Sequence, residues 1–331
     1  MESTFVIVHI SDTHVALPGE RLSPVLLANR PLPIGGAAGA ALSALRQAVV
    51  NANGAQSADP KLETALQHAL TKTSSALRQT QVRGADGARE LDGAALIHTG
   101  DLTQAGQIGS MNASMTQFAT VFQDMPAFFQ IGNHDAWPGD FPPFAPDRIP
   151  LQHRWVRGLK TAPPGVSLPE RYPNLRFLDA AQTIELVRLN TVLDDSLPNA
   201  LALGRVAPEY RQELPPGTSR DPFEEIDSRS SGTALRIAAM HHPPYEVDRG
   251  FWAAVSHAFV APSPGGLLDA DAVRRELAAR DFDLILCGHE HTRAKTQIFE
   301  GGRILQLAVG SPAFRKGRGN HDQPHFALYW L

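Results

Sequence analysis

Cysteine is almost missing from this chain of 331 residues: Cys287 stands alone. A single thiol excludes an intrachain disulfide and a thiolate zinc cluster within one chain. Excess charge is lacking too. A formal net charge of -4 gives no electrostatic case for non-specific binding to nucleic acid or to anionic membranes. No apolar run approaches the roughly 20 residues that span a bilayer. The opening Met1-Glu2-Ser3-Thr4 runs straight into an apolar segment, without charged region, apolar leader or small-residue cleavage site, so a cytoplasmic location is expected. What remains, 43% hydrophobic and 19% charged, is the balance of a globular chain able to bury a sizeable core. The length suits one large α/β domain spanning 1–331.

Histidine is plentiful, with 13 residues, and its positions carry the argument. The focal stretch is Gly132-Asn133-His134-Asp135, which follows the apolar run Ala127-Phe128-Phe129-Gln130-Ile131. That run reads as a buried strand, and Gly132 permits a sharp turn after it. Asn133 offers a neutral oxygen ligand, His134 a proton donor near neutral pH, and Asp135 a carboxylate to orient the imidazole. Alone, such a tetrad is better read as a polar turn closing a hairpin.

The same arrangement recurs along the chain. A β-branched run at 5–10 reads as a strand ending in Asp12 and His14, whose spacing of two puts both on one side of an extended segment. A strand at 94–99 delivers Gly100-Asp101. One at 234–240 ends in His241-His242-Pro243-Pro244, and one at 283–287 in Gly288-His289-Glu290-His291. Between them, the leucine spacing predicts an amphipathic helix over 61–79, and further helices are expected near 112–123, 208–214 and 271–280. Other strands are expected near 176–178, 183–190, 297–299, 303–308 and 326–331. Residues 15–60, irregular and punctuated by Pro18, Pro24, Pro31 and Pro33, read as an insertion with a short helix within 40–50. Residues 136–173 read as a long loop bordering a site.

Five strand ends thus supply only Asp, His and Asn. Loops at the carboxyl ends of strands are where α/β folds bind ligands. Oxygen and imidazole donors without thiolate suit Mn, Fe, Zn or Co better than a structural zinc, and the donors are too many for one ion. Two ions about 3.5–4 Å apart need a shared group, and a carboxylate can bridge them. His9 and His98 read as core residues, His242 as a neighbour behind the ligands, and Glu290 as solvated. Arg315, Lys316 and Arg318 are either a solvated loop or a contact to a substrate anion.

The order Asp-x-His, Gly-Asp, Gly-Asn-His-Asp, His, Gly-x-His-x-His, running from Asp12 to His291, resembles the calcineurin-like metallophosphoesterase superfamily. The resemblance implies a four-layer α/β sandwich, with two packed mixed β-sheets flanked by helices. It implies two divalent metal ions: Asp12, His14 and His291 on the first, Asn133, His241 and His289 on the second, and Asp101 bridging. His134 would be the catalytic histidine at the phosphate and leaving group, with Asp135 behind it. Ile10-Ser11-Asp12-Thr13-His14, Gly100-Asp101-Leu102-Thr103 and His241-His242-Pro243-Pro244 are similar to the class III cyclic-nucleotide phosphodiesterases. The expected reaction is hydrolysis of a small-molecule phosphodiester, a cyclic nucleotide or a glycerophosphodiester, by attack of a metal-bridging hydroxide. A phosphomonoesterase or nucleotidase of the same family is the alternative, followed by a non-catalytic scaffold. The expected partner is the small phosphate ester, without specific nucleic acid or membrane, and a homo-oligomer is a further candidate. The insertion at 15–60, longer than in compact members, is a candidate pocket wall or homo-oligomer contact.

Overall fold

The computed structural model describes residues 4–15, 60–79, 81–84, 87–103, 108–123, 125–135, 163–169, 172–192, 204–206, 222–226, 232–245, 266–289, 295–299, 302–310 and 326–331. His291, Glu290, Arg315, Lys316, Arg318, the helices expected within 40–50 and near 208–214, and nearly all of the 15–60 insertion lie outside the described residues.

The apolar runs form two sheets. In the first, β1 (Thr4–Ile10) lies between β3 (Gly87–His98) and β12 (Ala327–Trp330), and β3 continues to β4 (Ala127–Phe129) and β5 (Val166–Ser167). A short strand, β2 (Gln81–Gly84), pairs with the start of β3 as a hairpin. The second sheet runs β10 (Lys295–Phe299), β11 (Ile304–Ala308), β9 (Leu284–Cys287), β8 (Leu235–Ala239), β7 (Ile184–Arg188), β6 (Asn174–Phe177). The pairings of β1, β3 and β4 are parallel, as are those of β7, β8 and β9, so each group of carboxyl ends gathers at one sheet edge. Both sheets are mixed, because β12 and β10 pair antiparallel with β1 and β11.

Strand alternation sorts the side chains into layers. Phe5 and Ile7 of β1, Ala95 and Ile97 of β3, and Phe128 of β4 face Leu186, Ile237, Ala239, Leu284 and Leu286 across the sandwich. On the other face of the first sheet, Val6, Val8, Leu96 and Phe129 meet two helices. These are α1 (Pro60–Gln79), through Leu66, Leu70 and Leu77, and α2 (Ile108–Val121), through Met111, Met115 and Phe118. Beyond the second sheet, Ala238, Ile285 and Cys287 meet Val273 and Leu277 of α3 (Ala270–Ala279). This is the four-layer sandwich expected. Each fully buried Leu, Ile or Phe contributes about 1.5–3 kcal/mol. No helix among the described residues is long and apolar enough to cross a membrane.

Three details depart from expectation. β2, which the sequence did not suggest, pairs antiparallel with the first residues of β3, Gly84 with Gly87, and β3 begins well before the apolar core of its sequence. β5 lies inside the stretch read as a 136–173 loop. Helix α2 starts at Ile108, one turn earlier than expected. In each case the extra residues are too few or too mixed to show an apolar period, so pairing and packing decided their structure.

One charged residue crosses the central layer. Arg188 on β7 is fully buried and donates to Phe129 O (3.1 Å), Ser167 O (2.8 Å), Ser167 Oγ (3.0 Å) and Asn174 Oδ1 (2.6 Å). Beside it, Gln130 Nε2 donates to Leu189 O at 2.6 Å. These bonds fix the end of β4, from which the Asn133 turn departs, against the second sheet.

Candidate metal centre

Past the carboxyl ends of β1 and β3 the chains continue side by side as paired turns. Thr99 N donates to Ile10 O, Asp12 N to Gly100 O and His14 N to Asp101 O, each at 2.9 Å. Asp12 and His14 do converge, with His14 Nε2 4.0 Å from Asp12 Oδ1. They do so without the extended backbone that their spacing implied: φ is 55° at Asp12 and 48° at His14. Asp101 (φ 53°) and His289 (φ 74°) are left-handed as well. Of the six non-glycine residues with positive φ among the described residues, four are therefore candidate ligands. Such conformations cost on the order of 1–3 kcal/mol each, persist only where the surroundings impose them, and gather at functional sites. Glycines make room for this crowding. A Cβ on Gly132 would overlap the backbone nitrogen and carboxylate of Asp101.

The donor atoms face one another across the two sheets. Asp101 Oδ2 lies 3.6 Å from His14 Nε2 and 3.4 Å from His241 Nε2. Asn133 Oδ1 lies 2.8 Å from His241 Nε2 and 3.2 Å from His289 Nδ1. His241 and His289 are themselves 3.2 Å apart through these nitrogens. The Asp12 carboxylate accepts the backbone N–H of His289 at 3.1 and 3.0 Å, closing the second sheet's loop over the first. Among the described residues, three groups of donors each fit within 4.8 Å: His14, Asp101 and His134; Asp12, Asp101 and His241; His241, His242 and His289. Asp101 belongs to two of them. Two carboxylates, an amide oxygen and several imidazoles, with no thiolate, fit hard or borderline divalent cations.

His241 Nδ1 donates to Thr99 O at 3.0 Å, which turns Nε2 toward the other donors. Burial disfavours its charged form, but the Asp101 carboxylate wins and pushes its pKa up to about 9. Burial likewise opposes ionisation of Asp101, yet His241, His134 and His14 hold its carboxyl well below the usual range. Without metal, then, protonated His241 is the counter-ion of Asp101, and a cation at Nε2 would displace that proton.

All of the sequence-predicted ligands within the described residues meet here: Asp12, His14, Asp101, Asn133, His241 and His289. His134 joins them. Its backbone N–H donates to Asp101 Oδ1 at 2.7 Å, and its ring meets that of His14 edge-on at 4.5 Å. Asp135 does not orient the imidazole as expected. Its carboxylate accepts Gly132 N (3.0 Å), Leu102 N (3.2 Å), Thr103 N (2.8 Å) and Thr103 Oγ1 (3.0 Å), so it ties the Asn133 turn to the Asp101 turn. Burial and the Asp101 charge push its pKa up to about 7 against these four donors. Contacts not anticipated include the pairing of His242 Nδ1 with Thr191 Oγ1 at 2.9 Å and that of His98 with Thr13 at 3.0 Å.

A family model for calcineurin-like phosphoesterases matches residues 5–293, a span that contains every ligand block. The chain belongs to this family. Calcineurin-like phosphoesterases are metal-dependent phosphoester hydrolases with two metal ions, and the His/Asp clusters supply candidate sites for both. Among solved structures, a phosphopantetheinyl hydrolase from Mycobacterium tuberculosis is similar at 13% identity, covering 92% of this chain and 89% of that one with a TM-score of 0.40. A purple acid phosphatase from yellow lupin (Lupinus luteus) is 13% identical, with all of this chain but 49% of that one covered and a TM-score of 0.49. No curated protein matches the sequence.

Proposed function

We propose that this calcineurin-like phosphoesterase hydrolyses a small phosphodiester, with two divalent ions held by the residues that converge on Asp101. The observation that carries the reading is the position of Asp101 Oδ2, 3.6 Å from His14 Nε2 and 3.4 Å from His241 Nε2. Asp12, His14 and His291 would hold one ion, Asn133, His241 and His289 the other, and Asp101 both. When bound, the ions neutralise phosphoryl oxygens and acidify water. The protein's own groups do the rest. His134 gives a proton to the departing alkoxide oxygen. Thr99 O keeps His241 Nε2 turned toward the other donors, where it would serve as a ligand. Asp135 locks the two turns through backbone N–H groups and so fixes His134 relative to Asp101.

Support for a diester comes from two sources. The sequence blocks around Asp12, Asp101 and His241 are similar to those of class III cyclic-nucleotide phosphodiesterases. Two carboxylate ligands also leave a pair of divalent ions with net positive charge, enough to hold a monoanionic diester. The test is a panel of cyclic nucleotides, glycerophosphodiesters and phosphomonoesters on metal-reconstituted protein, with metal analysis alongside. Diesters should turn over fastest, and faster turnover of monoesters would make the protein a phosphomonoesterase. Asp101→Asn should lose metal from both sites and abolish turnover. Two full equivalents retained in that variant would sink the bridging role.

A further inference from the structure

His98, the last residue of β3, pairs with Ile10, the last residue of β1. Its ring is fully buried between Phe118 and Phe129, with centroids 5.6 and 5.5 Å away. Packing alone would suit a phenylalanine. Both ring nitrogens are nevertheless engaged. Gly100 N donates to Nδ1 at 3.3 Å, which leaves the ring proton on Nε2. Nε2 then donates to Thr13 Oγ1 at 3.0 Å, and Thr13 Oγ1 donates to Leu102 O at 3.2 Å. Burial outweighs the attraction of Asp12 and Asp101 and brings the His98 pKa down to about 3, so the ring is neutral, with one donor and one acceptor.

Every bond of this relay lands beside a candidate ligand. Thr13 separates Asp12 from His14, and Gly100 and Leu102 flank Asp101. All three ligands have left-handed backbone, which the surroundings must impose. We infer that the His98–Thr13 relay is a positioning device that sets the Asp12/His14 turn against the Asp101 turn, and through that spacing the affinity for divalent cations. The inference rests on the metal reading proposed above. Its residues touch no substrate and act only through the ligands.

The experiment titrates Mn2+ into the metal-free protein by calorimetry for the wild type, His98→Phe, Thr13→Val and the double variant. Loss of a hydrogen bond behind a metal ligand typically weakens binding about 10–100-fold, and each single variant should lose that much. The double variant should bind no more weakly than the singles, because each removes the same relay. Nitrogen NMR of the wild type should find the His98 proton on Nε2. Wild-type affinity in both single variants, additive losses in the double, or the opposite tautomer would each overturn the relay. A wild type that binds no Mn2+ would overturn the metal reading and the relay with it. If His98→Phe does not fold, Thr13→Val and the tautomer decide.

Discussion

Asp135 and His134 are adjacent in sequence but act on different parts of the site. The Asp135 carboxylate takes four donors, three of them backbone N–H groups, from both ligand turns. His134 reaches Asp101 through its backbone N–H, a bond that survives any change of its side chain. His134→Ala should therefore keep both metals. Its loss should show at the leaving group. A general acid is worth about 10²–10⁴-fold when the departing alkoxide needs a proton, and a nitrophenolate needs none. Hydrolysis of a natural sugar or glycerol diester should fall by that factor, and hydrolysis of bis(p-nitrophenyl) phosphate much less. Equal losses on the two substrates would make His134 a positioning residue instead. At this scale the sequence was informative about the candidate ligands, because strand ends that supply only Asp, His and Asn have few other uses. It misled on Asp135, whose partners are mostly backbone N–H groups and leave no mark in residue identities.

Elements matter here through the junctions that hold their ends. β4 has only three residues, Ala127–Phe129, yet it launches the Asn133 turn. Two pairing strands would leave such a short element poorly fixed along the sandwich. Arg188 supplies the missing restraint by donating to Phe129 O, Ser167 O, Ser167 Oγ and Asn174 Oδ1, which joins β4, β5 and β6 to β7. Its guanidinium also lies over the Phe128 ring, 5.5 Å from the centroid. Arg188→Met keeps the apolar stem but strands these acceptors in the core. The expected cost is roughly 1–3 kcal/mol for each buried acceptor left unpaired, several kcal/mol in all. Urea unfolding measures it, and a change below about 1 kcal/mol would mean that the central layer does not depend on this arginine. The sequence reading found β4 and β7 from their apolar runs. It missed β5, a two-residue strand, and β2, because neither has enough apolar residues to show a period. It also expected Asp12 and His14 to meet by strand alternation. They meet instead because two neighbouring strands end together and their turns remain hydrogen-bonded to each other.

For the molecule as a whole, burying neutral histidines beneath the site gives stability a pH dependence. Burial, together with the neighbouring His98, brings the pKa of His9 down from 6.5 to about 3, despite Asp12, and its ring nitrogens face Thr99 Oγ1 and Tyr329 Oη. His98 is likewise lowered from 6.5 to about 3, with Asp12, Asp101 and His241 as its charged neighbours. Their neutral forms favour the fold fully above pH 6.5, and that contribution is lost as pH falls toward 3. Asp135 works in the opposite direction. Its pKa is raised from 3.8 to about 7, so its contribution is full below 3.8 and disappears as pH rises through 7. Asp101 is ionised in both states above 3.8, and His241 is protonated in both below 6.5, so between those limits both stabilise fully and add nothing to the slope. In that window, counting these three groups, the unfolded state binds two more protons at His9 and His98 and one fewer at Asp135, a net excess of one. One proton corresponds to about 1.4 kcal/mol per pH unit. These three groups should therefore make the metal-free protein lose about that much stability for each unit of acidification from pH 6.5 toward 4. His9→Gln retains a side-chain amide for Thr99 Oγ1 but cannot titrate, so the excess falls to zero and the slope should flatten. Denaturant unfolding at a series of pH values, on metal-free protein, follows both slopes. If the variant loses stability on acidification as steeply as the wild type, His9 does not enter the fold as a neutral ring, and the acid sensitivity belongs to other groups.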